Sequence, residues 1–281
     1  MAVATQGSFS RASDLLHISQ PSLSMGIRSL ENKLNVCLFE RTHKTVILTE
    51  KGKTFFLHAE RLLEAEQNLH RAITDEAGPL KGTVHLAFPP ILGAIYFRPI
   101  IRQFCSLYPD VVLNIEEYPS DRLITQLLGH HTNIAALIGP VQNRQLRIIP
   151  FAETELYLLM SESHPLAGRA ACSFTDILDE KLVLMNENFK ISQFISEAFA
   201  SHGATPHVTG RTSDSSLLLT MVQAGVGITI IPAAFHNPTQ NDGLYCCPLK
   251  DPTIRITISL AVRHNSPLSK AEETWLQISG L

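Results

Sequence analysis

The side chains in this 281-residue sequence that could hold a metal or move protons are twelve histidines, five cysteines and twenty-six carboxylates. Their spacing argues against each of those uses. Cys37, Cys105, Cys172, Cys246 and Cys247 form no C-x-x-C pair, and an odd, scattered set is no disulfide framework. They read as buried, reduced thiols, with no neighbour that singles out a low-pKa one. His130-His131 and the other histidines lack metal-ligand spacing with Cys, Asp or Glu. Gly52-Lys53-Thr54 resembles the end of a phosphate-binding loop, but the position that needs a further glycine is Ile47. In Ala224-Gly225-Val226-Gly227 no third glycine follows and the order is helix to strand, so Gly225 reads as a helix C-cap rather than part of a dinucleotide fingerprint. Glu116 and Glu117 are successive strand residues facing opposite ways, a poor arrangement for acid–base work. With no G-x-S-x-G and no H-E-x-x-H, neither an enzyme nor a cofactor or metal is expected.

A different chemistry is offered near the N-terminus, where short polar and basic side chains collect on one helix face. Over residues 20–34, Leu23, Ile27, Leu30 and Leu34 form an apolar stripe at helical spacing. Pro21, Met25, Arg28 and Asn32 fall on the opposite face, with Ser22 and Ser29 at its margin. Ser19 is a suitable N-cap, and Pro21 in the first turn forfeits no helical hydrogen bond. The preceding segment is expected to bury Phe9, Ala12, Leu15 and Leu16, and residues 17–19 have room only for a turn. Such a pair is either an ordinary helical hairpin or a helix-turn-helix, whose second helix enters the DNA major groove.

The elements around it favour the second reading. Residues 36–49, VCLFERTHKTVILT, have apolar ends and a basic middle and predict a two-stranded wing with Arg41, His43 and Lys44 at its tip, suited to phosphates. A helix over residues 49–77 follows, capped by Thr49, with Phe55, Ala59, Leu62, Leu69 and Ile73 in a heptad-like seam that suits pairing with a second copy. Residues 1–53 carry a net charge of +3 against −6 for the remainder, a basic front on an acidic body. GPLKG at 78–82 is a helix stop and hinge. Beyond it, short strands and helices alternate: strands over 83–88, 111–117 and 134–138 in a first set, then a second set from residue 151. That order predicts parallel sheets in two α/β lobes with a ligand cleft between them. No apolar run approaches the roughly 18–20 residues that span a bilayer, and MAVATQGSFSR is no signal peptide, so a cytoplasmic protein is expected.

In this order the chain resembles a LysR-type transcriptional regulator along essentially its whole length. The likeness is carried by GSFSRASDLLHISQPSLS, IRSLENKLNVCLFERT and VILTEKG, and further on by LMSESHPLA, VQAGVGITIIP and SLAVRHNSPLS. It implies an α/β protein: a winged helix-turn-helix over 1–53, a dimerisation helix over 49–77, and a periplasmic-binding-protein-like effector domain over 82–281. Within that domain the first lobe takes residues 82–150 and 261–281, and the second takes 151–260. The resemblance further implies promoter DNA and a small-molecule effector as partners and a homodimer or homotetramer. Position by position, Gln20, Pro21, Ser22, Ser24 and Arg28 would face DNA, with Arg41, His43, Lys44 and Thr49 on phosphates. Pro90, Ile91, Ser120, Asn186, Thr212 and Ser213 would face the effector, with a helix cap as the alternative role for Ser120 and Ser213.

Three departures from the family pattern stand out. Residues 1–4 look like the last turn of a first helix that would pack on Leu15, Leu16 and Ile27, leaving part of that core exposed. An alternative function is therefore a ligand-binding sensor, akin to a solute-binding protein, with impaired DNA binding. Met25 and Gly26 interrupt a face that is usually polar or basic there. Pro89-Pro90-Ile91-Leu92 offers few backbone N–H donors, which hints at a less polar effector or fewer hydrogen bonds at that end of the cleft.

Overall fold

A computed structural model describes residues 1–41, 46–74, 79–235, 243–264 and 266–280. The chain divides into two compact units, Met1–Gly78 and Pro79–Leu281.

The first unit opens with α1 (Ala2–Gln6), stopped by Gly7 at φ 58°, and α2 (Phe9–Leu16), whose cap Ser8 accepts from the Arg11 N–H. His17 turns left-handed at φ 54°, and Ser19 caps α3 (Gln20–Leu34) by accepting the Ser22 N–H. Strands β1 (Phe39–Arg41) and β2 (Val46–Leu48) pair antiparallel as a wing, and α4 (Glu50–Thr74) follows. The wing tip with His43 and Lys44, and residues 75–78, lie outside the described residues.

The core of this unit is small. Val3, Phe9 and Ala12 are buried, with Leu23, Ile27, Phe39 and Val46 packed against them and the Phe9 and Phe39 rings meeting edge to face at 6.1 Å. Leu15 and Leu16 are 58% and 46% exposed: they do not join the buried set with Phe9 and Ala12, and they are part of the core expected to lie open beside a short first helix. Leu34, at the end of the α3 stripe, is exposed as well, which corrects its place in that stripe. The physical reason is reach: the single turn of α1 covers Phe9 and Ala12 but gives no cover to the last turn of α2. On α4 the seam residues Leu62 and Leu69 are also exposed.

The second unit begins with β3 (Gly82–Phe88) and a continuous helical run made of α5 (Pro90–Leu92), a π-helical segment (Gly93–Phe97) and α6 (Arg98–Leu107). Next come β4 (Val111–Glu117), α7 (Ser120–Leu128), β5 (Ile134–Ile138) and the long β6 (Leu146–Ser161). Then follow β7 (Cys172–Ser173), a 3-10 turn (Phe174–Ile177), β8 (Lys181–Met185), α8 (Lys190–Ser201), β9 (His207–Thr212) and α9 (Ser215–Gln223). The unit closes with β10 (Thr229–Pro232), a 3-10 turn (Ala233–Phe235), β11 (Leu244–Lys250), β12 (Arg255–Arg263) and α10 (Lys270–Ile278). Gly225 stands at φ 71° just past α9, the helix-end role expected of it.

The sheets are mixed rather than parallel throughout. In the first lobe β4, β3 and β5 run parallel, as their helical crossovers require, but β12 joins β5 antiparallel. In the second lobe β8 and β9 are parallel, while β10 and β11 both pair antiparallel with β6. The difference arises because β6 begins at Leu146, well before the expected start, and passes through both lobes beside the returning β12. One continuous apolar core then joins the lobes, including Phe88 stacked on Phe97 at 4.7 Å and Phe97 on Phe151 at 5.5 Å.

The cysteines are not uniformly interior. Cys37 and Cys105 are exposed, whereas Cys172 and Cys247 are buried with sulfurs 3.4 Å apart. Burial pushes both Cys246 and Cys247 up to about 12, with the Cys172 thiol adding to the effect on Cys247. At pH 8 a thiol reagent is expected to label Cys37 and Cys105 promptly and the other three only after denaturation, as peptide mapping would read. Two glycines differ in kind. A Cβ on Gly52 would collide with the Leu38 carbonyl, while one on Gly26 meets nothing within 4 Å. Gly52→Ala should cost about 1–3 kcal/mol in denaturant unfolding, and Gly26→Ala should stabilise α3 by about 0.5–1 kcal/mol.

Candidate functional site

The polar side of α3 faces away from the core that its other side contacts. Gln20, Pro21, Ser22 and Arg28 are exposed, Ser24 is partly covered, and Met25 among them is 71% exposed. Ser19 and Ser22 share a hydroxyl–hydroxyl hydrogen bond of 2.8 Å, so the first turn is held from both its side chains and its backbone. At the other end, the Glu31 carboxylate accepts the Leu38 and Phe39 N–H groups at 2.7 and 3.2 Å. That fixes the start of the wing against α3, with Arg41 at the end of its first strand.

Thr49 caps α4 as expected, and its hydroxyl is fully engaged in doing so. Its hydroxyl donates to the Cys37 carbonyl at 2.7 Å and accepts the Gly52 N–H at 2.8 Å. Both capacities are committed to capping α4 and fastening the wing, which leaves no hydrogen for a phosphate.

In the second unit, a cavity of about 1090 Å³ opens between the lobes. The first lobe supplies Phe88, Pro90, Gly93, Arg98, Glu117 and Arg122, and the second supplies Asn186, Asn188, Ser213 and Asp214. The helical run lies over the end of β3 through its π segment, an irregularity common at functional sites. Gly93 sits there because a Cβ would press on the Phe88 ring, itself stacked on Phe97.

Half of the expected effector residues line this cavity. Pro90, Asn186 and Ser213 do. Ile91 is 2% exposed and points into the core, and Ser120 is equally buried, its hydroxyl accepting the Ile138 N–H. Thr212 is buried too and accepts the Asp214 N–H at 3.0 Å. None of the three is among the lining residues, because each is spent on packing or on a backbone donor. The capping alternative fails as well: Pro119 occupies the cap of α7, and Asp214, not Ser213, caps α9 by accepting the Ser216 and Leu217 N–H groups.

Away from the Pro89–Leu92 end the wall is charged: Arg98 and Arg102, one turn apart on α6, and Arg122 on α7 are among the lining residues. The Arg122 guanidinium sits 4.0 Å over the Tyr118 ring, a cation–π contact. Glu117 is held above the ordinary carboxylate range, chiefly by burial and secondly by the charge of Asp214 from the other lobe. Beside the cavity, Lys190 of α8 reaches Asp121 of α7 at 3.2 Å and links the lobes. Arg98 and Arg102 carried a readable signal, two basic residues at i, i+4 on one helix. Glu117 and Asp214 carried none, since their proximity depends on how the lobes meet.

Comparison with known proteins agrees with both units. Residues 1–53 match the model of a bacterial regulatory helix-turn-helix protein of the lysR family, and residues 77–279 match the LysR substrate binding domain. The DNA-binding transcriptional dual regulator OxyR of Escherichia coli K12 is 28% identical over 274 residues, covering 97% of this chain and 90% of that protein. A full-length OxyR variant from Pseudomonas aeruginosa superposes with a TM-score of 0.65 at 25% identity, covering 99% of this chain and 96% of the other. Full-length CbnR complexed with its target DNA shares the fold, with a TM-score of 0.70 at 20% identity over 99% and 96% of the two chains.

Proposed function

The chain belongs to the LysR family of bacterial helix-turn-helix regulators, and from that premise we propose how its parts divide the work. α3 lies in the major groove of promoter DNA, with Gln20 and Arg28 reading base edges and Pro21, Ser22 and Ser24 close to the backbone. Arg41, His43 and Lys44 of the wing neutralise phosphates. α4 pairs with α4 of a second copy, which covers the exposed Leu62 and Leu69 and presents two reading helices to a two-fold site. A small effector binds between the lobes against Pro90, Asn186, Ser213 and the surrounding charged side chains, and its presence alters how the oligomer grips DNA. The protein acts in the cytoplasm as a regulator and not as an enzyme.

The observation that carries this reading is the exposed polar face of α3, capped at its start and braced by Glu31 at its end. A sensor that has lost DNA binding is less favoured, because the cap, the turn and the wing contacts of a reading helix are all present. Names of the relatives add support, one being a DNA-binding dual regulator and another a protein crystallised on its target DNA.

The test uses a dyad fragment selected from genomic DNA and fluorescence anisotropy. Arg28→Ala should lose about 1–3 kcal/mol of affinity for that fragment and relax selectivity at one base position. Unchanged affinity and selectivity would remove α3 as the reading helix. Lys44→Ala should weaken specific and non-specific DNA alike and lower the salt slope by about one. If the slope does not move, Lys44 contacts no phosphate.

A further inference from the structure

The cavity between the lobes keeps opposite charges apart instead of pairing them. Among the described residues, no ion pair within 4 Å engages Arg98, Arg102, Arg122 or Glu117, although all four line the same space. Arg122 lies over Tyr118 rather than on a carboxylate. Glu117 and Asp214 come from opposite lobes and repel one another, which belongs to the cause of the raised Glu117 pKa. One Asp214 oxygen is occupied by the Ser216 and Leu217 N–H groups at 2.7 and 3.2 Å, leaving the second and the charge available.

Each half of that arrangement asks for a counterpart of its own. Two carboxylates on the walls of one cavity, one from each lobe, are satisfied by a compact cation with several N–H donors. An ammonium has three and can bridge both lobes. A metal ion suits the place poorly, because hard cations need six or more oxygens and no group of three possible ligands gathers among the described residues. The guanidiniums ask for planar anions, and carboxylates fit their fork geometry in pairs of hydrogen bonds. Three guanidiniums against two carboxylates leave one positive charge in the wall, which a ligand of net charge −1 would balance.

Resting on the cleft reading of the previous section, we propose that the effector is an amino dicarboxylate. Its ammonium lies between Glu117 and Asp214, and its carboxylates lie on Arg98, Arg102 and Arg122. Asn186, Asn188 and Ser213 complete the polar wall, and Phe88 and Tyr118 flank the carbon chain. This assignment fixes the chemical class. It also explains why charges of both signs, unpaired with each other, occur in one cavity.

The experiment measures calorimetric binding to the full chain for L-aspartate, L-glutamate and L-2-aminoadipate. Each is set against its match without the ammonium (succinate, glutarate, adipate) and its match with one carboxylate fewer (β-alanine, 4-aminobutyrate, 5-aminopentanoate). At least one amino dicarboxylate should bind at least about tenfold more tightly than both of its matches. Glu117→Gln should reduce its advantage over the des-amino match to about twofold or less without weakening that match, and Arg98→Gln should weaken both. Thermal melts establish that each variant is folded. The proposal is overturned if every amino dicarboxylate that binds is equalled by its des-amino match or by its match with one carboxylate fewer, if Glu117→Gln leaves the ratio unchanged, or if no amino dicarboxylate binds.

Ser213→Trp and Asn186→Trp, which each project a bulky ring into the cavity, together separate that failure from failure of the cleft reading. Should a screen of other small acids and amines find a binder that either variant abolishes, the cleft stands and only the class falls. A binder that Ser213→Trp and Asn186→Trp both leave untouched places the effector elsewhere and overturns both.

Discussion

β6 and β12 run side by side through both lobes of the second unit, Arg255 opposite Glu155 at one end and Arg263 opposite Leu146 at the other. The register shifts once, between Ile258 and Ser259, where the pair passes from one lobe's sheet toward the other's. Everything that makes the cavity depends on this ladder. β5 joins it on the first-lobe side, β10 and β11 on the second, and the helices that carry Arg98, Arg122 and Asp214 are hung from those sheets. A bulge in a shared ladder lets strands bend without losing pairing. The lobes are thus held at their root, and Lys190 and Asp121 form a side-chain link between their outer parts. A partly exposed pair of that kind contributes at most about 1 kcal/mol, little enough for a ligand to override.

The first unit is held differently. Its buried apolar centre is small, and hydrogen bonds supply much of its definition. Ser8 and Ser19 cap α2 and α3, Glu31 binds two wing N–H groups, and Thr49 ties the wing to α4. Close approach reinforces the last of these, since only a glycine at 52 lets α4 lie against the Leu38 carbonyl. The exposed Leu15, Leu16 and Leu34 show how little apolar cover the unit has from α1. Rigidity of the reading face comes from caps and from the braced wing more than from burial.

Much of this was legible in advance because it is local. The stripe of Leu23 and Ile27, the cap at Ser19, the stop at Gly225 and the two-stranded wing are properties of a few neighbouring residues, and helix period, capping chemistry and turn geometry act over that range. Thr49 was correctly read as a cap, but its second hydrogen bond to Cys37 is a contact across the wing that no local rule specifies. The parallel-sheet expectation failed for the same reason. Alternation predicts crossovers correctly, yet it says nothing of two long strands returning antiparallel through both lobes.

By itself the sequence determined the order of elements, the winged helix-turn-helix, the long helix and the two-lobed α/β plan, since each rests on periodicity and on short-range backbone preferences. The family resemblance, rather than any local rule, pointed to Pro90, Asn186 and Ser213, which line the cavity. Only the tertiary structure decided that Ile91, Ser120 and Thr212 turn away from the cavity. Only it decided that Arg98, Arg122, Glu117 and Asp214 line one cavity with no ion pair engaging Arg98, Arg122 or Glu117 among the described residues. The direction of a side chain at a strand end, and the distance between charges on opposite lobes, are set by packing among segments about a hundred residues apart, and no local rule carries information over that span.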